Sequence, residues 1–205
     1  MTALRSKLQG VVPAIIVPFR GEQIDRDAMA REVEFLSEAG VDGLAIGGGI
    51  GEMTGRSAEE WAAVCRVVNE VSDLPLGVIL LPDCWPELDR MLDAVMMEEP
   101  DTLLVAQPHY LFQPAAKEVE ELLHRARVRS RRPVFLANIL RSAMIPARVV
   151  AELMRKPRFH VRNWQGRGKV REQIPGQRDG LLFRHPCRAV RSTSDGLAGD
   201  QLILK

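Results

Sequence analysis

The segment with the clearest capacity for chemistry is the loop Gly48-Gly49-Ile50-Gly51-Glu52. Its glycines let the backbone come close to an anion and present N–H donors to it. The same residues would also make a tight strand-to-helix turn with no ligand, so the loop alone does not fix a function. Tyr110 is the only tyrosine in the chain and follows an apolar run, at the strand end where barrel enzymes keep their chemistry. Packing is the competing role for it. Other chemistries find no support. His109, His124, His160 and His185 are dispersed and share no metal-ligand spacing with Cys, Asp or Glu, so neither a metal nor a cofactor is expected. No Gly-x-Ser-x-Gly elbow is present for a serine nucleophile. Cys65, Cys84 and Cys187 are odd in number and widely spaced, which fits neither a disulfide framework nor a zinc site.

The elements that would carry this loop alternate short apolar runs with amphipathic stretches, the pattern of strand-helix units around a parallel sheet. Strands are expected at Val11 to Val17, Gly43 to Ile46, Leu76 to Leu81, Thr102 to Ala106 and Pro133 to Ala137. Helices are expected at Arg26 to Ala39, closed by Gly40, and from Ser57, where Ser57 and Glu60 form a capping box ahead of Trp61, Val64 and Val68. Three more follow at Pro86 to Met97, Ala116 to Arg127 and Ala147 to Met154. After Pro157 the pattern stops, and only Gly180 to Phe183 and Gln201 to Leu204 look like strand fragments.

Charge marks the same boundary. Residues 1–157 carry 18 Lys and Arg against 23 Asp and Glu, a net −5, whereas residues 158–205 carry 10 against 4, a net +6. The division expected is a partial barrel domain over 1–157 and a basic, irregular tail over 158–205. Scattered arginines without aromatic platforms argue against nucleic-acid binding. No apolar run reaches membrane-spanning length and the N-terminus lacks the features of a secretory signal, so a cytoplasmic protein is expected. The fold expected is α/β, an incomplete (β/α)8 TIM barrel of about five to six units with an irregular C-terminal tail.

Three segments in order carry a family resemblance: Gly10-Val-Val-Pro-Ala-Ile-Ile-Val-Pro-Phe19, Glu38-Ala-Gly-Val-Asp-Gly-Leu-Ala-Ile-Gly-Gly-Gly-Ile-Gly-Glu52, and Gln107-Pro-His-Tyr110. Over roughly residues 8–157 the chain resembles the dihydrodipicolinate synthase and N-acetylneuraminate lyase family of Schiff-base 2-oxo-acid aldolases and lyases. The resemblance implies a barrel that assembles as an oligomer and acts on pyruvate or another 2-oxo acid by aldol condensation, cleavage or dehydration. In that chemistry a lysine amine condenses with the ketone, and the iminium draws electrons from the adjacent carbon. A tyrosine relays protons, and the loop after the second strand holds the substrate carboxylate.

Carried over by position, the resemblance implies Gly48, Gly49 and Ile50 as carboxylate-binding, Tyr110 as catalytic, and Asn138 and Arg141 as substrate-binding. The departures are specific. Gly49 and Ile50 stand where the family usually has Thr or Ser hydroxyls, His109 replaces an aromatic, and Ala137 stands where the proton-shuttling tyrosine belongs. Arg162 or Asn163 falls where the Schiff-base lysine is expected, and an arginine stays protonated and cannot form an imine. Lys156 precedes the sixth strand, and Lys169 lies in a glycine-rich segment beyond it. Two functions follow: a family-level lyase with impaired chemistry, or a non-catalytic, truncated relative that binds a 2-oxo acid. Assembly as a homo-oligomer or with a barrel-completing chain would accompany either.

Overall fold

The computed structural model describes residues 8, 10–108, 115–138, 144–146, 148–151 and, as backbone, 163–164. A short antiparallel ribbon, β1 (Phe19–Arg20) and β2 (Gln23–Ile24), turns at Gly21 and leads into α1 (Arg26–Glu38). There follow β3 (Leu44–Gly47), α2 (Ala58–Val71), β4 (Leu76–Leu80), α3 (Trp85–Met96), β5 (Thr102–Val105), α4 (Ala116–Ser130), β6 (Val134–Ala137) and β7 (Asn163–Trp164). Strands β3 to β7 form one parallel sheet in sequential order, with Ile46 opposite Val78, Ile79 opposite Leu104, Leu104 opposite Phe135, and Ala137 opposite Trp164. Sequential parallel neighbours require a crossover between each pair, which the helices supply.

The helix ends follow from local chemistry. Asp25 caps α1 by accepting from the Ala28 N–H at 3.1 Å, and Gly40 leaves the helix with φ +75. In α2 the capping box is complete: Ser57 Oγ accepts from Glu60 N at 3.2 Å while Glu60 accepts from Ser57 N at 2.8 Å. Helix α4 runs three residues past the expected Arg127, because Ala126 and Ser130 continue the buried stripe of Val119, Leu122 and Leu123. It ends where Arg131 takes the left-handed conformation, φ 54.

The expected strand at Val11 to Val17 is reduced to a single parallel bridge, Ala14 to Ala45. Pro13 has no N–H to give, so it contributes only its carbonyl, which accepts from Ala45 N at 2.9 Å. Val11 N is taken by the Asp42 carboxylate at 2.7 Å instead of a ladder partner. In the basic tail, Asn163 and Trp164 pair with β6, a two-residue strand with no apolar run to announce it. Residues 148–151 are helical, as expected, and the rest of that expected helix lies outside the described residues, as do the fragments at 180–183 and 201–204.

Both faces of the sheet are apolar. Ile46, Val78, Leu80, Leu103, Val105 and Leu136 pack against the helices through Val64, Val68, Leu88, Leu92 and Leu122. On the other face Ala45, Ile79, Leu104, Ala106, Phe135 and Ala137 form a second buried cluster with Leu8 and Val12. Two-sided burial explains why these strands read as unbroken apolar runs. Ion pairs link successive helices on the outside: Arg26 to Glu70 at 3.0 Å, Arg66 to Glu98 at 2.6 Å, Arg125 to Asp89, and Arg129 to Asp93 at 2.5 Å. The Arg125 hydrogen bond holds the Asp89 carboxyl below the usual carboxylate range. Each exposed pair contributes about 0–1 kcal/mol, so the apolar layers carry the fold.

Burial pushes the Cys65 thiol up to about 12, with the Glu98 charge adding to the effect, while Cys84 is exposed before α3. A thiol-alkylating reagent at neutral pH should therefore modify Cys84 and spare Cys65 until denaturant is added, as read by peptide mass spectrometry. Labelling of Cys65 in the native protein would show that α2 opens far more readily than its packing implies.

Candidate functional site

The loops after the parallel strands gather at one end of the sheet, and the most defined of them follows β3. Gly47 and Gly48 both have positive φ, +83 and +64, which reverses the chain directly above the strand. A Cβ on Gly47 would stand 2.5 Å from Ile79 O and 2.6 Å from Trp61 Cη2, so the turn is built around the absence of a side chain there. Gly48 N donates to Ile79 O at 3.0 Å and Gly51 N donates to Gly47 O at 3.2 Å. Those two donors are therefore spent on holding the loop to β4 and to itself.

The tip between them is different. Gly49 and Ile50 are exposed, and none of the described residues accepts a hydrogen bond from either N–H. A Cβ on Gly49 would meet nothing within 4 Å. Of the three residues expected to bind an anion, Gly48 is a fastening and Gly49 and Ile50 are the available donors. The loop is then pinned on its far side by buried Met53, whose carbonyl accepts from Arg56 N at 3.2 Å, and by Arg56, which sits 4.2 Å over the Phe19 ring.

Asn138 lies at the same end of the sheet, just past β6, and is buried. Its Nδ2 donates to Ile145 O at 3.1 Å and its Oδ1 accepts from Ile145 N at 2.9 Å. Both ends of the amide are occupied by one backbone residue, so the side chain ties the end of β6 to Ile145. The geometry engages the Asn138 amide with Ile145, and a substrate contact is not among these bonds. His109, Tyr110 and Arg141 lie outside the described residues. Ala137 is in register with Trp164 of β7, so the backbone of the sixth strand is present beside the fifth, with neither an amine nor a phenol at Ala137, Asn163 or Trp164.

Reading the residues alone missed two features. Trp61, taken only as an apolar position of α2, closes the underside of the loop against Gly47. Ile16 is half exposed, although its apolar run suggested a buried strand. Among the described residues no helix is long and apolar enough to cross a membrane.

A sequential parallel sheet, helices packed on one face and a glycine loop with unpaired N–H groups at the C-terminal strand ends define a repeated β/α protein. Residues 7–80 match the model of the Dihydrodipicolinate synthetase family. A 4-hydroxy-tetrahydrodipicolinate synthase of Methanothrix thermoacetophila is 30% identical over 148 residues, 71% of this chain and 50% of the relative. An N-acetylneuraminate lyase of an Enterobacter species is 35% identical over 82 residues, 40% of this chain and 28% of that protein. Among solved structures, the 4-hydroxy-tetrahydrodipicolinate synthase of Methylacidiphilum fumariolicum superposes with a TM-score of 0.66 at 26% identity, over 73% of this chain and 51% of that one. Over its N-terminal three quarters, the chain belongs to the dihydrodipicolinate synthase and N-acetylneuraminate lyase family. It spans at most about half the length of the curated relatives it matches.

Proposed function

We propose that this chain is a family-level 2-oxo-acid lyase in descent, retaining a seat for the carboxylate of pyruvate or another 2-oxo acid while its imine chemistry is impaired. The carboxylate is received by the N–H groups of Gly49 and Ile50, whose donors are uncommitted at the loop tip. Two N–H donors directed at one anion make charge-assisted bonds, and the glycines on either side keep side chains out of the approach. Tyr110 and Arg141 remain the residues proposed for proton transfer and for a second carboxylate contact.

The observation that carries the impaired chemistry is Ala137 beside Trp164. Where the two strand ends meet, the chain has no amine to condense with a ketone and no phenol to shuttle its proton. Residues 1–157 are proposed as five to six units of a (β/α)8 barrel, completed by self-association or by another chain.

The test is isothermal titration with pyruvate, paired with mass spectrometry after incubation with pyruvate and sodium borohydride. Binding without a covalent adduct is the expected result. An adduct on a lysine, Lys169 above all, would overturn the impairment and establish a rearranged Schiff-base enzyme. Failure of a folded sample to bind pyruvate or any other 2-oxo acid would overturn the carboxylate seat itself.

A further inference from the structure

We infer that the seat selects 2-oxo acids with an apolar chain over pyruvate; the inference rests on the proposed carboxylate seat and specifies what lies beside it. The donors come from Gly49 and Ile50, but the side chains at these positions are a hydrogen atom and a branched hydrocarbon. Ile50 is 39% exposed at the loop tip.

A second apolar side chain stands at the same height. Ile16 follows the Ala14 to Ala45 bridge by two residues, as Gly47 does on β3, so both lie toward the same end of the sheet. Ala14 packs on the Leu8 face of the sheet and Ile15 on the helix face, so alternation returns Ile16 to the Leu8 face. There Ile16 is 49% exposed, toward the end of the sheet that carries the free donors. Met144, 41% exposed, immediately precedes Ile145, which the Asn138 amide holds at that end of the sheet.

Beneath these residues the inner face offers a ligand little polarity. Ala45, Ile79, Leu104, Ala106, Phe135 and Ala137 form the layer below, with Leu81 packed against it. An acid seated by its carboxylate at Gly49 and Ile50 thus meets aliphatic surface on the loop and on the neighbouring segment. A methyl group, as in pyruvate, covers little of that surface; a chain of three or four carbons covers Ile50 and Ile16 and leaves its own hydrocarbon out of water.

Burial of a methylene corresponds to roughly a fourfold change in affinity when complete, and roughly twofold when partial. The experiment is a titration of the full chain with pyruvate, 2-oxobutanoate, 2-oxopentanoate and 4-methyl-2-oxopentanoate, repeated on Ile50→Thr and Ile16→Thr. The wild-type Kd should fall about two- to fourfold per added carbon, and either substitution should flatten the series to below about twofold per carbon. Two outcomes overturn the inference while leaving the carboxylate seat intact: equal affinity along the series, or a steep series that both variants keep. Absence of binding by every acid overturns the seat and the preference together.

Discussion

Replacing Gly47 with alanine should destabilise the protein by about 2–5 kcal/mol, the largest effect expected of any single methyl group in the loop. Two independent costs add. The residue has φ +83, a left-handed conformation that costs an L-residue about 1–2 kcal/mol. The new Cβ would also press on Ile79 O at 2.5 Å and on Trp61 Cη2 at 2.6 Å, and neither neighbour can retreat cheaply. Ile79 O belongs to the β4 backbone and already accepts from Gly48 N, while the Trp61 ring is buried under the loop. Overpacking of this kind costs about 1–3 kcal/mol in a close-packed interior. The total is a large share of the roughly 5–15 kcal/mol by which a domain is stable. Gly49→Ala is the control. Its φ is not positive and nothing stands within 4 Å of the added carbon, so stability should stay level or rise by up to about 1 kcal/mol as the unfolded chain stiffens. Urea denaturation of both variants reads the difference; equal midpoints would mean that Gly47 is not the pivot of the turn.

This contrast between two glycines of one loop also marks where the sequence stops being legible. A run of Gly47, Gly48, Gly49 and Gly51 announces a tight, donor-rich turn, and Ser57 with Glu60 announces the helix after it, because both signals act within a few residues. Which N–H stays free depends on β4, some thirty residues on, whose Ile79 carbonyl takes the Gly48 donor. No local pattern encodes that partner. Nor does any local pattern announce that both ends of the Asn138 amide pair with Ile145, seven residues on. The parallel strands were legible because burial on both faces leaves unbroken apolar runs; β7 has no such run, and only the resemblance located a strand ending near Asn163. Pro13 is the opposite case, a local signal in plain view whose missing N–H limits the first segment to one bridge.

Removal of the Asn138 side chain should cost about 2–4 kcal/mol and, more tellingly, should expose one particular amide to exchange. In the native protein the carboxamide pairs with Ile145 twice, as donor at 3.1 Å and acceptor at 2.9 Å, and both residues are buried. Asn138→Ala leaves the Ile145 N–H and C=O without these partners, and each buried polar group so orphaned costs about 1–3 kcal/mol. The damage should spread forward along the chain. Pro146, the next residue, starts the following helical turn by accepting from Val149 N at 2.9 Å and Val150 N at 3.2 Å, so the clip anchors a helix start as well as a loop. Hydrogen exchange at Ile145, Val149 and Val150 should accelerate together in the variant. A direct ligand contact predicts the reverse: weakened 2-oxo-acid binding with unchanged stability and an Ile145 amide still protected. Asn138→Asp separates the two bonds, since a carboxylate still accepts from Ile145 N but cannot donate to Ile145 O. It should therefore keep the amide protected while losing part of the stability, because the carbonyl is then faced by a second acceptor. Protection retained alongside a stability between those of Asn138→Ala and the native protein would establish that the clip works through both bonds, and that the hold on Ile145 depends on an uncharged amide at this one position.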